Sequence, residues 1–413
     1  MTAVSINQDR LWESLTELGA IGEQDDGSMM RVSGSDEDKK ARDMVVKWFE
    51  NEGLNVKIDP VGNIIARRDG NNDQPPVVTG SHIDTVPNGG KFDGTAGVLS
   101  ALEVVRSWND ANVQTDHPID VVVFTEEEGT RFGTGMVGSR VASEIISIED
   151  ALQLEDDTGK TLEAVLTEIG YYGEDEFTLD NSKAFIELHV EQGPELEVSG
   201  KTVGVIENVT GLAHYGVRYT GNANHAGTTS MSTRQDAFAG VAETAIRLEQ
   251  KTRELASETN AVSTIGKVDV SPNGTNVIPG EVEFTLDIRD TDESARQILI
   301  DYTISVMEKI TSKRELKFEY TNWVDAEATQ MDEEVVEMIA GSCEQLDIEY
   351  TRMASGAGHD AMNVANVTPS AMLFVPSKDG ISHNPKEYTS PENLASGAQV
   401  LEQSLRKLAS ADA

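Results

Sequence analysis

Pro76-Val77-Val78-Thr79-Gly80-Ser81-His82-Ile83-Asp84 is a short apolar run that ends abruptly in polar side chains. The same transition recurs. Val121-Val122-Val123-Phe124-Thr125 runs into Glu126-Glu127-Glu128, and Ala184-Phe185-Ile186-Glu187-Leu188 runs into His189. Met372-Leu373-Phe374-Val375 leads into the loop that holds His383. Runs of this length without alternation are the mark of strands buried on both faces. Helical stretches separate several of them, such as Gly97 to Trp108. The pattern predicts an α/β domain whose strands end in chemistry-bearing residues.

Upstream, residues 36–52 carry Ala41, Met44, Val45, Trp48 and Phe49 on one helical face. The stretch LNVKIDPVGNIIARR that follows is strand-like. The middle of the chain differs. In Glu281-Val282-Glu283-Phe284-Thr285-Leu286-Asp287-Ile288-Arg289 polar and apolar residues exchange at period two, as in a sheet with one wet face. Helical segments fall at 235–256 and 292–312. The expected organisation is a larger α/β domain from 1–211 and 326–413, with a smaller α+β domain, 212–325, inserted into it.

The chain has 413 residues, enough for two or three domains. Its 72 acidic and 33 basic residues give a net charge of -39. That excess argues against nucleic acid and against anionic membrane surfaces as partners. The charge is spread along the chain, and 38% hydrophobic residues suffice for a core. An acidic coat of this kind suits a salty cytoplasm that screens self-repulsion; an acidic mesophilic enzyme is the alternative. One cysteine, Cys343, rules out an intrachain disulfide. The first residues carry no signal-peptide pattern, and no stretch nears the roughly 18 apolar residues of a membrane span. A cytoplasmic location is expected.

Seven histidines are present. His82, Glu127, Glu128 and His189 all fall at strand ends, where open α/β sheets bind ligands. Histidine and carboxylate donors without cysteine suit zinc, manganese, cobalt or nickel. Period-two alternation would set Asp84 beside His82, able to accept its outer ring N–H. Asp93 follows in a glycine-rich loop. Three adjacent glutamates after a buried strand are costly unless something positive faces them; a solvated acidic loop is the other reading.

Taken together, Gly80-Ser-His-Ile-Asp-Thr-Val-Pro-Asn-Gly-Gly-Lys-Phe-Asp-Gly94, Phe124-Thr-Glu-Glu-Glu-Gly-Thr-Arg-Phe132, His189-Val-Glu-Gln-Gly-Pro194, His225-Ala-Gly227 and Gly380-Ile-Ser-His-Asn-Pro385 resemble the hydantoinase/carbamoylase branch of the dinuclear-zinc aminoacylase and carboxypeptidase superfamily. The resemblance spans about residues 8–408. It implies two divalent ions per subunit, zinc or else manganese, cobalt or nickel. His82, Asp93 and His189 would hold one, and Asp93, Glu128 and His383 the other. It makes Glu127 the general base and Asp84 a supporting residue. His225 would steady the oxyanion from a partner subunit, in a homodimer built through the inserted lid domain. Gln192, Asn276, Arg289 and Gly358 would bind substrate. The implied reaction is hydrolysis of an N-carbamoyl-L-amino acid to amino acid, ammonia and carbon dioxide. Allantoate and β-ureidopropionate are alternative substrates, and a peptidase, an aminoacylase or a non-catalytic metal-binding protein stand further off. Two departures touch the lid: Ser230-Met231 follows Thr228-Thr229, and His214 stands where a bulky or amide side chain is expected.

Overall fold

The computed structural model describes residues 4–410. The strands run β1 Asn55–Ile58, β2 Ile64–Arg68, β3 Val77–His82, β4 Ile119–Phe124, β5 Ala184–Val190, β6 Val203–Val209, β7 Gly211–Thr220, β8 Val262–Thr264, β9 Val268–Ser271, β10 Glu281–Asp290, β11 Lys317–Ala326, β12 Thr329–Gln330, β13 Tyr350–Ser355 and β14 Ser370–Val375. They form a nine-stranded sheet, ordered β1-β2-β4-β3-β5-β14-β6-β12 with β13 on β6, and a five-stranded one, ordered β11-β7-β10-β8 with β9 on β10. The chain divides into two compact units. The larger holds residues up to Glu207, Gln330–Ser355 and His359 onward; the smaller holds Asn208–Thr329 and Gly356–Gly358. The expected α/β class is found.

In the larger unit, β4, β3, β5 and β14 lie side by side and parallel. Every residue of these four strands is buried, which explains their unbroken apolar sequence. Parallel neighbours bring their carboxyl ends to one edge, so the polar residues that follow them converge. The strand-like stretch 54–68 is two antiparallel strands rather than one. Asp59 folds the chain between them by accepting the N–H groups of Val61 and Asn63. The helix Thr95–Asp110 begins directly after the Asp93 loop and packs on β3 and on the last helix, Pro391–Leu408. No helix among the described residues is long and apolar enough to cross a membrane.

In the smaller unit, β10 alternates as its sequence predicts. Val282, Phe284, Leu286 and Ile288 are buried in a core with Tyr219, Val241 and Leu299. Asp287 and Arg289 lie on its other face.

Several polar ties hold the last helix, and one of them comes from a tryptophan. Trp108 is fully buried and its indole N–H donates to Glu402 at 2.8 Å. Trp108→Phe removes the donor and leaves a buried acceptor short of a partner. Urea unfolding is expected to show a loss of about 1–3 kcal/mol. An unchanged midpoint would contradict that role.

Candidate metal centre

The parallel edge gathers six predicted residues. His82 ends β3, His189 is the last residue but one of β5, and Glu127 and Glu128 follow β4. Asp93 comes from the loop before the helix Thr95–Asp110, and His383 from the loop after β14. His82, Asp93 and His189 present ligand atoms within 4.8 Å of one another, and so do Asp93, Glu128 and His383. Asp93 is common to both groups, with one oxygen for each. Its Oδ1 lies 3.4 Å from His82 Nε2 and 3.1 Å from His189 Nε2. Its Oδ2 lies 3.3 Å from His383 Nε2, which is 3.4 Å from Glu128. Glu127 reaches within 3.5 Å of His82 Nε2.

Hydrogen bonding fixes which ring nitrogens face this space. His82 Nδ1 is 3.1 Å from the Asp84 carbonyl, and His189 Nδ1 is 2.9 Å from the Val190 carbonyl. A carbonyl only accepts, so both Nδ1 atoms carry protons and both Nε2 atoms turn lone pairs inward in the neutral rings. The Gly94 N–H approaches His189 Nε2 at 3.3 Å, which also requires a lone pair there. His82 Nε2 is buried with no hydrogen-bond partner. Electron pairs of two imidazoles and a carboxylate thus point at one another. A cation reconciles them, and these donors are the ligand chemistry of zinc-like divalent ions. The residues therefore fit a metal.

The excess negative charge also shows in the protonation equilibria. Burial, together with the charges of Asp360, Glu128 and Asp93, pushes Glu127 well above the usual carboxylate range, against the pull of His82. Burial and Asp93 raise Glu128 to about 7. Burial opposes ionisation of Asp93, but His189, His383 and His82 outweigh it and hold Asp93 well below its ordinary value. Hydrogen bonding to Asp93 lifts His383 to about 9.

The Asp84 expectation needs correction. Its backbone carbonyl, not its carboxylate, takes the His82 proton; the carboxylate is 3.6 Å away. β3 ends at His82, so strand alternation no longer governs Asp84. The carboxylate instead faces the backbone N–H groups of Glu127 and Glu128, each at 3.4 Å. The three glutamates also separate. Glu126 is buried and accepts the N–H groups of Arg131 and Phe132, folding the loop beneath the other two. Glu126, Gln192 and His383 all hold left-handed backbone, a costly state for such residues that collects at functional sites.

Gln192 donates to Asp93 Oδ2 at 2.7 Å, while its own Oε1 is buried and unpartnered. His359 is buried, with its ring 4.4 Å from that of His189. Glu187 went unnoticed in the sequence because it sits inside an apolar run. It joins Ser81 Oγ at 2.7 Å to the Ala361 N–H at 2.9 Å, tying β3 and β5 to the chain after His359.

The remaining predicted residues lie in the smaller unit. Asn276 and His225 are neighbours there, through a bridge between His225 and Val277 and the Ala226 N–H on the Asn276 carbonyl. His225 Nδ1 accepts the Gly227 N–H, which leaves Nε2 to carry the proton of a neutral ring. Arg289 is gripped by Asp287 through Nε and Nη2, both at 2.9 Å, and donates from Nη1 to the Gly356 carbonyl, two residues before Gly358. His214 contacts the same Asp287 at 3.0 Å. His214 and Arg289 outweigh burial and hold Asp287 well below the usual carboxylate range.

The pattern of peptidase family M20/M25/M40 matches residues 78–407. An N-carbamoyl-L-amino-acid amidohydrolase of Pseudomonas sp. (strain NS671) is 38% identical over 416 residues, covering 98% of this chain and 100% of that one. An allantoate amidohydrolase of Bacillus subtilis (strain 168) is 35% identical, with 95% of each covered. Among solved structures, a hydantoinase/carbamoylase family amidase from Burkholderia multivorans superposes with a TM-score of 0.93 at 38% identity, over 98% of each chain. The resemblance read from the motifs is borne out.

The Asp93 loop leaves no room beside His82. Gly94 has φ +62°, and a Cβ there would stand 2.5 Å from the imidazole. Gly94→Ala is expected to lower stability by about 1–3 kcal/mol, measured by urea unfolding. Metal content after dialysis should fall with it. Wild-type metal content and stability together would contradict this packing.

Proposed function

The chain belongs to peptidase family M20/M25/M40, and from that membership we propose that it hydrolyses the ureido C–N bond of an N-carbamoyl-L-amino acid. The observation that carries the reading is the meeting of two donor groups on Asp93 beside the almost wholly covered Glu127. The full-length relative named for that activity supports the substrate class.

The site would hold two divalent ions, zinc or else manganese, cobalt or nickel: His82, Asp93 and His189 would hold one, and Asp93, Glu128 and His383 the other. When bound, such ions supply Lewis-acid polarisation of a water molecule and of the ureido carbonyl. Glu127 is the general base. It takes a proton from water as the oxygen bonds to the carbamoyl carbon, and returns it to the amino-acid nitrogen as the C–N bond breaks. The carbamic acid released falls apart to ammonia and carbon dioxide. The Asp84 carboxylate steadies Glu127 and Glu128 through their backbone N–H groups. Gln192 binds substrate through its unpartnered Oε1 and orients Asp93 through its amide.

Gly358 lines the pocket, and Arg289 and Asn276 bind the substrate carboxylate. The Asp287 grip supports this role, because it pre-sets the guanidinium plane and leaves donors to spare. His225 steadies the developing oxyanion in the partner subunit of a homodimer. Its Nε2 proton suits that task. Exposed Phe238, Ile246, Val262 and Trp323 give the smaller unit apolar surface that a second copy would cover. The enzyme works in a salty cytoplasm, consistent with its charge of -39.

Ammonia release should be assayed across N-carbamoyl-L-amino acids, β-ureidopropionate and allantoate, alongside amino-acid release from N-acyl amino acids. The N-carbamoyl-L-amino acids are expected to give the highest kcat/KM; faster turnover of allantoate would reassign the substrate. Glu127→Gln should retain its metals and lose about 10²–10⁴-fold in kcat. Wild-type turnover by that variant would remove Glu127 from its role.

Salt gives a separate check. The thermal midpoint is expected to rise between 0.1 and about 3 M KCl as screening shortens the Debye length to roughly 3 Å or less. A midpoint that is flat or falls would leave an acidic mesophilic enzyme.

A further inference from the structure

Glu387 lies four residues beyond His383, in a chain whose acids mostly face solvent, yet it is only 5% exposed. Its Oε1 accepts two backbone N–H groups, from Phe92 at 2.8 Å and from Asp93 at 3.0 Å. Its Oε2 is 2.8 Å from the Ser382 hydroxyl, which is itself 2.9 Å from Asp93 Oδ2. One side chain therefore touches the Asp93 loop by its backbone, and the Asp93 carboxylate through Ser382. The fit leaves no slack. A Cβ on Gly90 would stand 2.3 Å from Glu387 Oε1.

Burying a carboxylate is expensive, and such groups persist where hydrogen bonds hold them and the fold uses them. Asp93 and His383 arrive on loops far apart in sequence, one before the helix Thr95–Asp110 and the other after β14. Neither loop belongs to the sheet that orients His82 and His189. A link between them must come from side chains, and Glu387 with Ser382 makes it.

We propose that Glu387 is a positioning residue, which sets the Asp93 carboxylate against His383 and so prepares the second donor group for its metal. This rests on the reading that Asp93 and His383 are ligands. Ligand-orienting partners of this kind are worth 10–100-fold in metal affinity.

The test is zinc affinity of the full-length protein, by competition with a chromogenic chelator, together with the thermal midpoint of the chelated protein. Glu387→Ala is expected to bind the weaker of the two zinc ions about 10–100-fold less tightly. Glu387→Gln should recover most of the affinity. Its amide oxygen can accept from Phe92 and Asp93, and its NH₂ can donate to Ser382. Ser382→Ala, which keeps both backbone contacts, should fall between Glu387→Ala and wild type. Wild-type zinc affinity in Glu387→Ala overturns the proposal, whether or not its midpoint falls, because a merely structural role predicts that pattern. Equal loss in Glu387→Gln and Glu387→Ala overturns it too, since charge rather than geometry would then matter. Asp93→Ala separates the premise: if it keeps both ions at wild-type affinity, Asp93 is no ligand and the reading beneath the proposal fails.

Discussion

A carboxylate as deeply buried as that of Asp93 must be met on each oxygen by hydrogen bonds or positive charge. On one side stand the Nε2 atoms of His82 and His189, and on the other those of His383, Gln192 and the Ser382 hydroxyl. The two imidazoles of the first side spend their N–H groups on main-chain carbonyls. What they offer Asp93 is electron pairs. A metal ion between them would make the arrangement coherent, because the donors that surround it are ones such an ion takes.

The supports differ in kind. His82 and His189 are set by strands whose residues are all buried, so their positions follow from the packing of the sheet. Glu127 and Glu128 hang beyond β4, and their turn is shaped by Glu126 from below and by the Asp84 carboxylate from the side. Asp93 and His383 lie on loops and need side-chain ties, of which Glu387 is the most buried. Rigid elements thus present one donor group, and hydrogen-bonded loops complete the other. The left-handed backbone at Glu126, Gln192 and His383 is what such loops must adopt to turn side chains back towards a common point.

The smaller unit builds its own preorganised group on the wet face of β10. Arg289 taken alone reads as a surface salt bridge, and its partner Asp287 is two residues away on the same strand face. The guanidinium is held at two points by that carboxylate and at a third by the Gly356 carbonyl. His214, which departs from the expected pattern, leans on the same carboxylate. In this chain the departure adds a further contact to the group that orients Arg289.

Much of this was legible in the sequence, because period and run length report burial directly. Unbroken apolar runs ending at His82, Glu126 and His189 identified parallel buried strands and the edge where ligands gather. Period-two exchange in 281–289 identified the half-wet sheet. The motifs that follow identified the family and the six residues that meet at the edge. Other features depended on what lies opposite a residue, which no local pattern records. The tertiary fold decided that Glu126 supports a loop while its neighbours face the site. It gave the His82 proton to the Asp84 carbonyl because the strand stops at His82, two residues short of Asp84, so alternation does not continue. It also buried Glu387 against a loop 294 residues away in sequence. In a chain with 72 acidic residues, only three-dimensional burial distinguishes the few carboxylates that organise a site from the many that coat a surface.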